Sequence, residues 1–401
     1  MASASNLIVE QARPQAISLR WIISAREDLT WFIGSVISSY ALFALYVTGT
    51  VPLLPMVAAW AILIDAPHVF GTFSRTYFDR SEWQSRRRLL LGSLLFFLVG
   101  PLAVISGVGL VFFFIAALWA YYHLVKQHYG FMVLYKKKNS DLAPVDNALD
   151  RLLLMFAFNY PFVAFVAHDA EAMARVPPVL SNVIGILATG LLVGTIVLGV
   201  AWVGRQIQRA VLGMPLNAPK YLLLAAALPM HWIVLLTPMA HKPIAIVAIL
   251  TIYHNFQYHR LIWFHNQKYR LSPSPRAERG WGEVGPAVPP TLTLPAGGEG
   301  IRERGSESDS RRKFGPAAFV SRRLLFYIAC GILFGLIYQG PRQFLGYLSL
   351  KNGTGLVTEQ SFAAQLAISF LWGYALIHYY LDSKIWRVRR DPSVGKALNM
   401  G

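Results

Sequence analysis

Cysteine is nearly missing from this chain, charge is scarce, and acidic residues are scarcer than basic ones. The single cysteine, Cys330, excludes disulfides and thiolate metal clusters. Only 14% of the 401 residues are charged and 55% are hydrophobic, whereas an ordinary soluble domain holds about 25% charged residues. Trp31–Val51 and Val179–Val203 carry hardly a charge over roughly twenty residues, enough to cross a hydrocarbon layer of about 30 Å. A soluble core helix is not apolar on every face for that length. No secretory pattern opens the chain, since Arg13, Arg20 and Arg26 interrupt its beginning. Residues 14–26 read either as an interfacial amphipathic helix or as a disordered tail.

The excess of 37 Lys and Arg over 20 Asp and Glu gives a formal net charge of +17 and raises the question of nucleic acid. The distribution of charge answers it. Cations lie in short runs between apolar stretches, as in Arg86–Arg88, Lys136–Lys138 and Arg387–Arg390. There they serve as orientation signals and as contacts for anionic membrane lipids. Membrane lipids are expected partners and nucleic acid is not.

Ten apolar segments can be marked, at 29–51, 53–73, 88–106, 108–128, 151–168, 179–203, 219–238, 242–264, 322–339 and 359–381. The long run from Leu89 to Leu124 is divided in two because Gly100-Pro101 and Ser106-Gly107 interrupt it. The second segment is the weakest, with Asp65, Pro67 and His68 inside it. Alternate loops then differ in charge. Arg13–Arg26, Arg75–Arg88, Lys136–Lys138, Arg205–Arg209, Lys268–Arg270 and Lys384–Arg390 fall on one side; Arg175, Lys242, Arg342 and Lys351 are nearly all the cations of the other. By the positive-inside rule this predicts an all-α polytopic membrane helix bundle of about ten transmembrane helices with both termini cytoplasmic. The expected location is the bacterial inner membrane.

The chain divides accordingly into a cytoplasmic tail over 1–28, helices 1–8 over 29–270, helices 9–10 over 316–386 and a second tail over 387–401. Between the helical parts, residues 271–315 are rich in Pro, Gly and charge, cannot bury a core, and are expected to be disordered. They read as a translated intergenic element or as an ordinary linker, and carry no chemistry.

Chemistry points instead to histidine. Under this topology seven of the ten histidines share the cytoplasmic side: His68, His123, His128, His254, His259, His265 and His378. His123 precedes the first inward cation of its helix by three residues, His254 and His378 by six, and His68 by seven. At about 1.5 Å per residue these imidazoles lie roughly 5–10 Å below the inner interface. Ionisable groups at that depth normally face the bundle interior or a wet cavity, which predicts one shared site. Asp65-Ala-Pro-His68 and His378-Tyr-Tyr-Leu-Asp382 place a carboxylate within a turn of a histidine, where it can ligate a metal or fix the imidazole tautomer. His123/His128 and His254/His259 are spaced by five, about 140° apart on a regular helix, so two metals or an unwound helix end would be needed to use both members of each pair. The candidate metal ligands are therefore His68, His123, His128, His254, His259, His378, Asp65 and Asp382. His265, His168, His231 and His241 read as helix-end or interfacial groups.

Iron, zinc and copper all suit imidazole, and histidine with carboxylate in a buried site most favours non-haem iron, as one or two ions. The boxes His123-Leu-Val-Lys-Gln-His128 and His254-Asn-Phe-Gln-Tyr-His259, with further histidines on other helices, resemble the membrane fatty acid desaturase, hydroxylase and alkane monooxygenase group. The paired His-His of that group's later boxes is absent here. A looser similarity, through Asp65-Ala-Pro-His68 and Lys126-Gln-His128-Tyr-Gly-Phe, is to the bacterial membrane carotene-cleaving dioxygenases. These resemblances imply an O2-dependent oxidoreductase acting on a lipid-soluble acyl or isoprenoid substrate. Trp263, Tyr253, Tyr258, Phe256, Tyr379 and Tyr380 are candidates to line its channel. The basic cytoplasmic surface suits an acidic electron-donor protein. Two rival readings remain: a proton- or metal-coupled transporter, disfavoured by the absence of an internal repeat and by polar groups gathered at one end, and a haem-binding electron carrier, which would not explain Asp65 and Asp382.

Overall fold

The computed structural model describes residues 17–269, 310–353, 356–386 and 394–395. Its long helices correspond one to one with the ten segments above. They are α1 (Ala25–Val47), α2 (Leu53–Thr76), α3 (Arg80–Ile105), α4 (Gly109–Lys138), α5 (Pro144–His168), α6 (Pro178–Val211), α7 (Ala218–Leu236), α8 (Lys242–Asn266), α9 (Leu324–Lys351) and α10 (Phe362–Ile385). Among the described residues nine of these are long and apolar enough to cross a membrane. The exception is α8, equally long at 25 residues but too polar over its second half. It is also the most enclosed, with 16 of its 25 residues buried and with α1, α2, α4 and α7 packed around it. The protein is thus an all-α polytopic bundle in which nine apolar helices surround or flank one polar helix. At the periphery, α6 turns Val183, Ile186, Val193, Val197 and Val200 outward, as a lipid-facing helix should.

Local chemistry sets the boundaries. The α3–α4 break falls at Ser106–Val108, where Gly107 adopts φ +76°, whereas Pro101 is carried inside α3. In α2 a π-helical turn, Ala61–Asp65, precedes Pro67. A proline ring collides with the carbonyl four residues earlier in a regular helix, and a wide turn gives it room. Helix α9 fits against this turn through two glycines. A Cβ on Gly331 would lie 2.8 Å from Pro67 Cβ, and one on Gly335 would lie 2.6 Å from the Ile62 carbonyl oxygen. Small residues at such a crossing let the backbones approach.

The ends of the helices alternate as the charge pattern requires. Arg75 at the end of α2 donates to the Ile385 carbonyl at the end of α10 (2.8 Å), and Lys268 after α8 pairs with Asp79 (3.3 Å). Arg260 of α8 pairs with Glu27 (2.6 Å), and Asn139 after α4 accepts from Ser18 (2.5 Å). The opposite end joins Tyr46 to the Ala240 carbonyl (2.6 Å) and His241 to Glu171 (3.3 Å).

Three details depart from the sequence reading. Residues 17–24 form neither an amphipathic helix nor a loose tail. Ile17–Ser18 pairs in parallel with Leu216–Asn217, and the buried Asp28 carboxylate accepts from the amides of Ile22 (2.6 Å) and Ile23 (3.0 Å), which gives this segment's backbone the partners a free helix would not need. Residues 14–16 lie outside the described part. Of the 271–315 segment, 271–309 also lie outside it, but 310–314 are helical. Phe314 is buried against Tyr269, ring centres 5.1 Å apart, and Ser310 Oγ donates to the Tyr269 carbonyl. Finally, Lys136 and Arg209 do not face lipid. With Arg205 and Lys220 they meet Asp141, Asp146 and Asp150, four cations against three carboxylates linking α4, α5, α6 and α7. Burial alone would raise the Asp141 carboxyl, but the adjoining Lys220 and Arg209 outweigh it and hold that group below its ordinary value.

Candidate metal centre

Four helices each bring one imidazole to a common point: His68 from α2, His123 from α4, His254 from α8 and His378 from α10. His68 and His378 meet directly, Nε2 to Nε2, at 2.8 Å. Ring centres are 4.8 Å apart for His68 and His254, 4.7 Å for His123 and His378, and 5.2 Å for His123 and His254. His68, His254 and His378 are buried; His123 is half-buried with its Nε2 enclosed. Ligand atoms of His68, His123 and His254 lie within 4.8 Å of one another, and so do those of His123, His378 and Asp382. The two sets share His123 and form one cluster.

A hydroxyl fixes the orientation of His378. Thr72, one turn beyond His68 in α2, donates to Asp382 Oδ1 (2.6 Å) and lies 2.7 Å from His378 Nδ1 and 2.8 Å from the Tyr258 hydroxyl. Tyr258 also donates to Asp382 Oδ1 (3.0 Å). Thr72 has one proton and gives it to the carboxylate, so its oxygen accepts from His378 Nδ1–H. Nε2 of His378 therefore carries a lone pair. It lies 2.8 Å from His68 Nε2, within hydrogen-bond distance, so His68 Nε2–H donates to it and the lone pair of His68 falls on Nδ1.

Unpartnered atoms make the same point. Among the described residues His68 Nδ1, His123 Nε2 and His254 Nδ1 are enclosed and have no hydrogen-bond partner. Each buried polar atom left so costs about 1–3 kcal/mol unless something binds it. Four imidazoles and a carboxylate are the donor set of a metal ion. These buried histidines could hold one.

No family model, curated protein or solved structure matches the chain. The site therefore has to be read from its own geometry.

The other candidates fall outside the two sets. His259 donates from Nε2 to the Ile64 carbonyl of the π-turn (2.9 Å), and its ring is 6.1 Å from that of His68. Asp65 accepts from Gln339 (2.9 Å) and Asn255 (3.4 Å). His128 stands against His231 of α7, ring centres 5.5 Å apart. Because α4 stays helical throughout Gly109–Lys138, the spacing by five sends His123 and His128 to different faces. His265 packs on Trp386, ring centres 5.6 Å apart, and His168 bonds to its own helix at Ala164 (2.7 Å).

Thr72 was not among the sequence candidates, although its place four residues after His68 puts it on the same face, where a hydroxyl partner for a histidine could be sought. Of the aromatic candidates, Tyr258 serves the cluster through its hydroxyl and Tyr379 stacks on His123 at 4.5 Å. The others are dispersed in the packing: Tyr253 donates to the Phe32 carbonyl (2.7 Å), Phe256 meets Trp31, Trp263 meets Tyr327, and Tyr380 meets Phe96.

Proposed function

We propose that this protein is a membrane-embedded oxidoreductase whose histidine-ligated non-haem iron acts with O2 on a lipid-soluble acyl or isoprenoid substrate, near the cytoplasmic face of a bacterial inner membrane. The observation that carries the reading is the convergence of buried imidazoles from four separate helices, with Asp382, on one point. Histidine with carboxylate favours iron over zinc or copper, and the low-cysteine composition leaves no softer donors. Bound iron would supply one-electron and O2 chemistry.

The chain's own residues have distinct parts in this scheme. His68, His123, His254 and His378 hold the ion, and Asp382 stands ready as a further ligand. Thr72 keeps the proton of His378 on Nδ1, and Tyr258 shares the Asp382 carboxylate, so that the lone pair of His378 stays on Nε2. Tyr379, stacked on His123, limits how that ring can turn. A substrate would arrive laterally from lipid, and an acidic donor protein would dock on the basic end. Metal analysis of detergent-purified protein with an optical spectrum tests the reading. One or two irons without a Soret band support it, and their loss in His254→Ala and His378→Ala ties them to this site. A Soret band, or purified protein without metal in which those substitutions leave function intact, would overturn it.

A further inference from the structure

His128 and His231 belong to neither ligand set, although His254 of the cluster lies within electrostatic reach of both. Each ring bonds back to its own helix: His128 Nδ1 to the Leu124 carbonyl (3.0 Å), His231 Nδ1 to the Ala227 carbonyl (2.9 Å). A carbonyl only accepts, so both Nδ1 atoms carry the ring proton and both Nε2 atoms present a lone pair. Among the described residues both Nε2 atoms are enclosed and without a partner. The rings stand perpendicular at 5.5 Å, and Phe158 packs on both, at 5.3 and 4.3 Å. Neighbouring hydroxyls are already engaged, Tyr253 with the Phe32 carbonyl and Tyr121 with the Phe158 carbonyl (2.5 Å).

We propose that His128 and His231 form a second, two-nitrogen site for a soft monovalent cation, Cu(I) being its biological member. Two buried acceptors with no hydrogen-bond partner among the described residues call for an electrophile. The cost of burying an ion rises with the square of its charge, so this enclosure favours a monovalent one. Zinc and iron ask for three or more protein ligands, whereas monovalent copper is satisfied by two, and imidazole is a good copper donor. The sequence hides the pair because its two members come from helices α4 and α7, with no spacing motif to join them.

The test uses the full chain in detergent under anaerobic conditions, titrated with Cu(I) held by a chromogenic chelator. Wild type should take one equivalent that survives in the double variant His68→Ala/His378→Ala. His231→Leu should weaken it at least about a hundredfold, the upper end of what loss of a mere supporting contact does. His231→Met, which replaces the imidazole with a thioether that also suits monovalent copper, should stay within about tenfold of wild type. One equivalent of Ag(I) should also raise the unfolding temperature of wild type, as a ligand of the native state must. The proposal is overturned if no copper is taken up and Ag(I) gives no shift, as a bridging water would produce. Uptake unchanged in His231→Leu, or abolished by His68→Ala/His378→Ala, overturns it equally. The two readings fail separately, since iron depends on His68 and His378 and copper on His128 and His231.

Discussion

Replacing Thr72 by valine nearly keeps the volume of a fully buried side chain and removes a single hydroxyl at the centre of three contacts of 2.6–2.8 Å. Asp382 Oδ1, at 3.8 Å, is too far to accept from His378 Nδ1–H in its place. The ring loses the contact that holds its proton on Nδ1, and Asp382 keeps only Tyr258. Loss of such a supporting partner weakens metal binding about 10–100-fold, equal to about 1.4–2.7 kcal/mol. The unsatisfied donor costs fold stability a further 1–3 kcal/mol or about that. Competition of the purified protein against a chelator of known affinity, with Fe(II) or Co(II), reads the first quantity directly. Thr72→Ser restores the hydroxyl and should recover wild-type affinity to within a few-fold. Unchanged metal affinity in Thr72→Val, or a serine variant as weak as the valine one, would refute the role assigned to this hydroxyl.

Asp141, held below its ordinary 3.8 in the folded state, contributes stability that is complete above that value and is lost as pH falls beneath it. The unfolding temperature of wild type should therefore drop below about pH 4, and Asp141→Asn should flatten that drop while costing about 3 kcal/mol at neutral pH by leaving four buried or half-buried cations to share Asp146 and Asp150; equal acid sensitivity of the two proteins would count against the network. Tyr269 and Ser310 are hydrogen-bonded, so excising 271–308 and joining the ends with a short glycine linker should leave unfolding temperature and metal content unchanged; loss of either refutes the view of this stretch as dispensable. Gly335→Val forces a side chain into the Ile62 carbonyl and should destabilise by about 1–3 kcal/mol and lower metal occupancy through His68, whereas Gly340→Ala, with open space around it, should do neither. With Cys330 replaced by serine, an introduced Ser140→Cys should react with a membrane-impermeant maleimide only after cells are opened, and Thr50→Cys before; the reverse pattern inverts the topology.

Much of the fold was legible because a membrane leaves few choices. Apolar stretches marked a segment for each of the ten helices, although α8 is too polar over its second half to qualify by apolar length alone, and the alternation of cations matches which ends meet, as Arg75 with Ile385 and Arg260 with Glu27. The depth of His68, His123, His254 and His378, judged from the nearest inward cation, put four imidazoles in one layer, and they do meet. Asp382 was legible too, because four residues along a helix is a turn of only about 40° beyond a full circle. It was harder to see that cations can turn inward. Lys136 and Arg209 look like lipid anchors in the sequence, and only their distant partners Asp150 and Asp141 reveal otherwise.

Rotation and helix length account for the rest. With Lys126 as the inner interface the sequence puts His128 at a helix end, yet α4 runs ten residues past His128, to Lys138. At 1.5 Å per residue His128 lies about 15 Å inside that end, deep enough to meet His231 of α7. Asp65 sits in a wide turn whose register no regular-helix count can give, and it faces Gln339 and Asn255. The five-residue boxes thus divide in the same manner on α4 and α8. His123 and His254 enter the cluster, and their partners turn about 140° away, His128 to a neighbour the sequence could not name and His259 to the Ile64 carbonyl. A spacing that resembles a two-metal box therefore builds one four-helix cluster here, and frees one imidazole of the first box for a separate pairing.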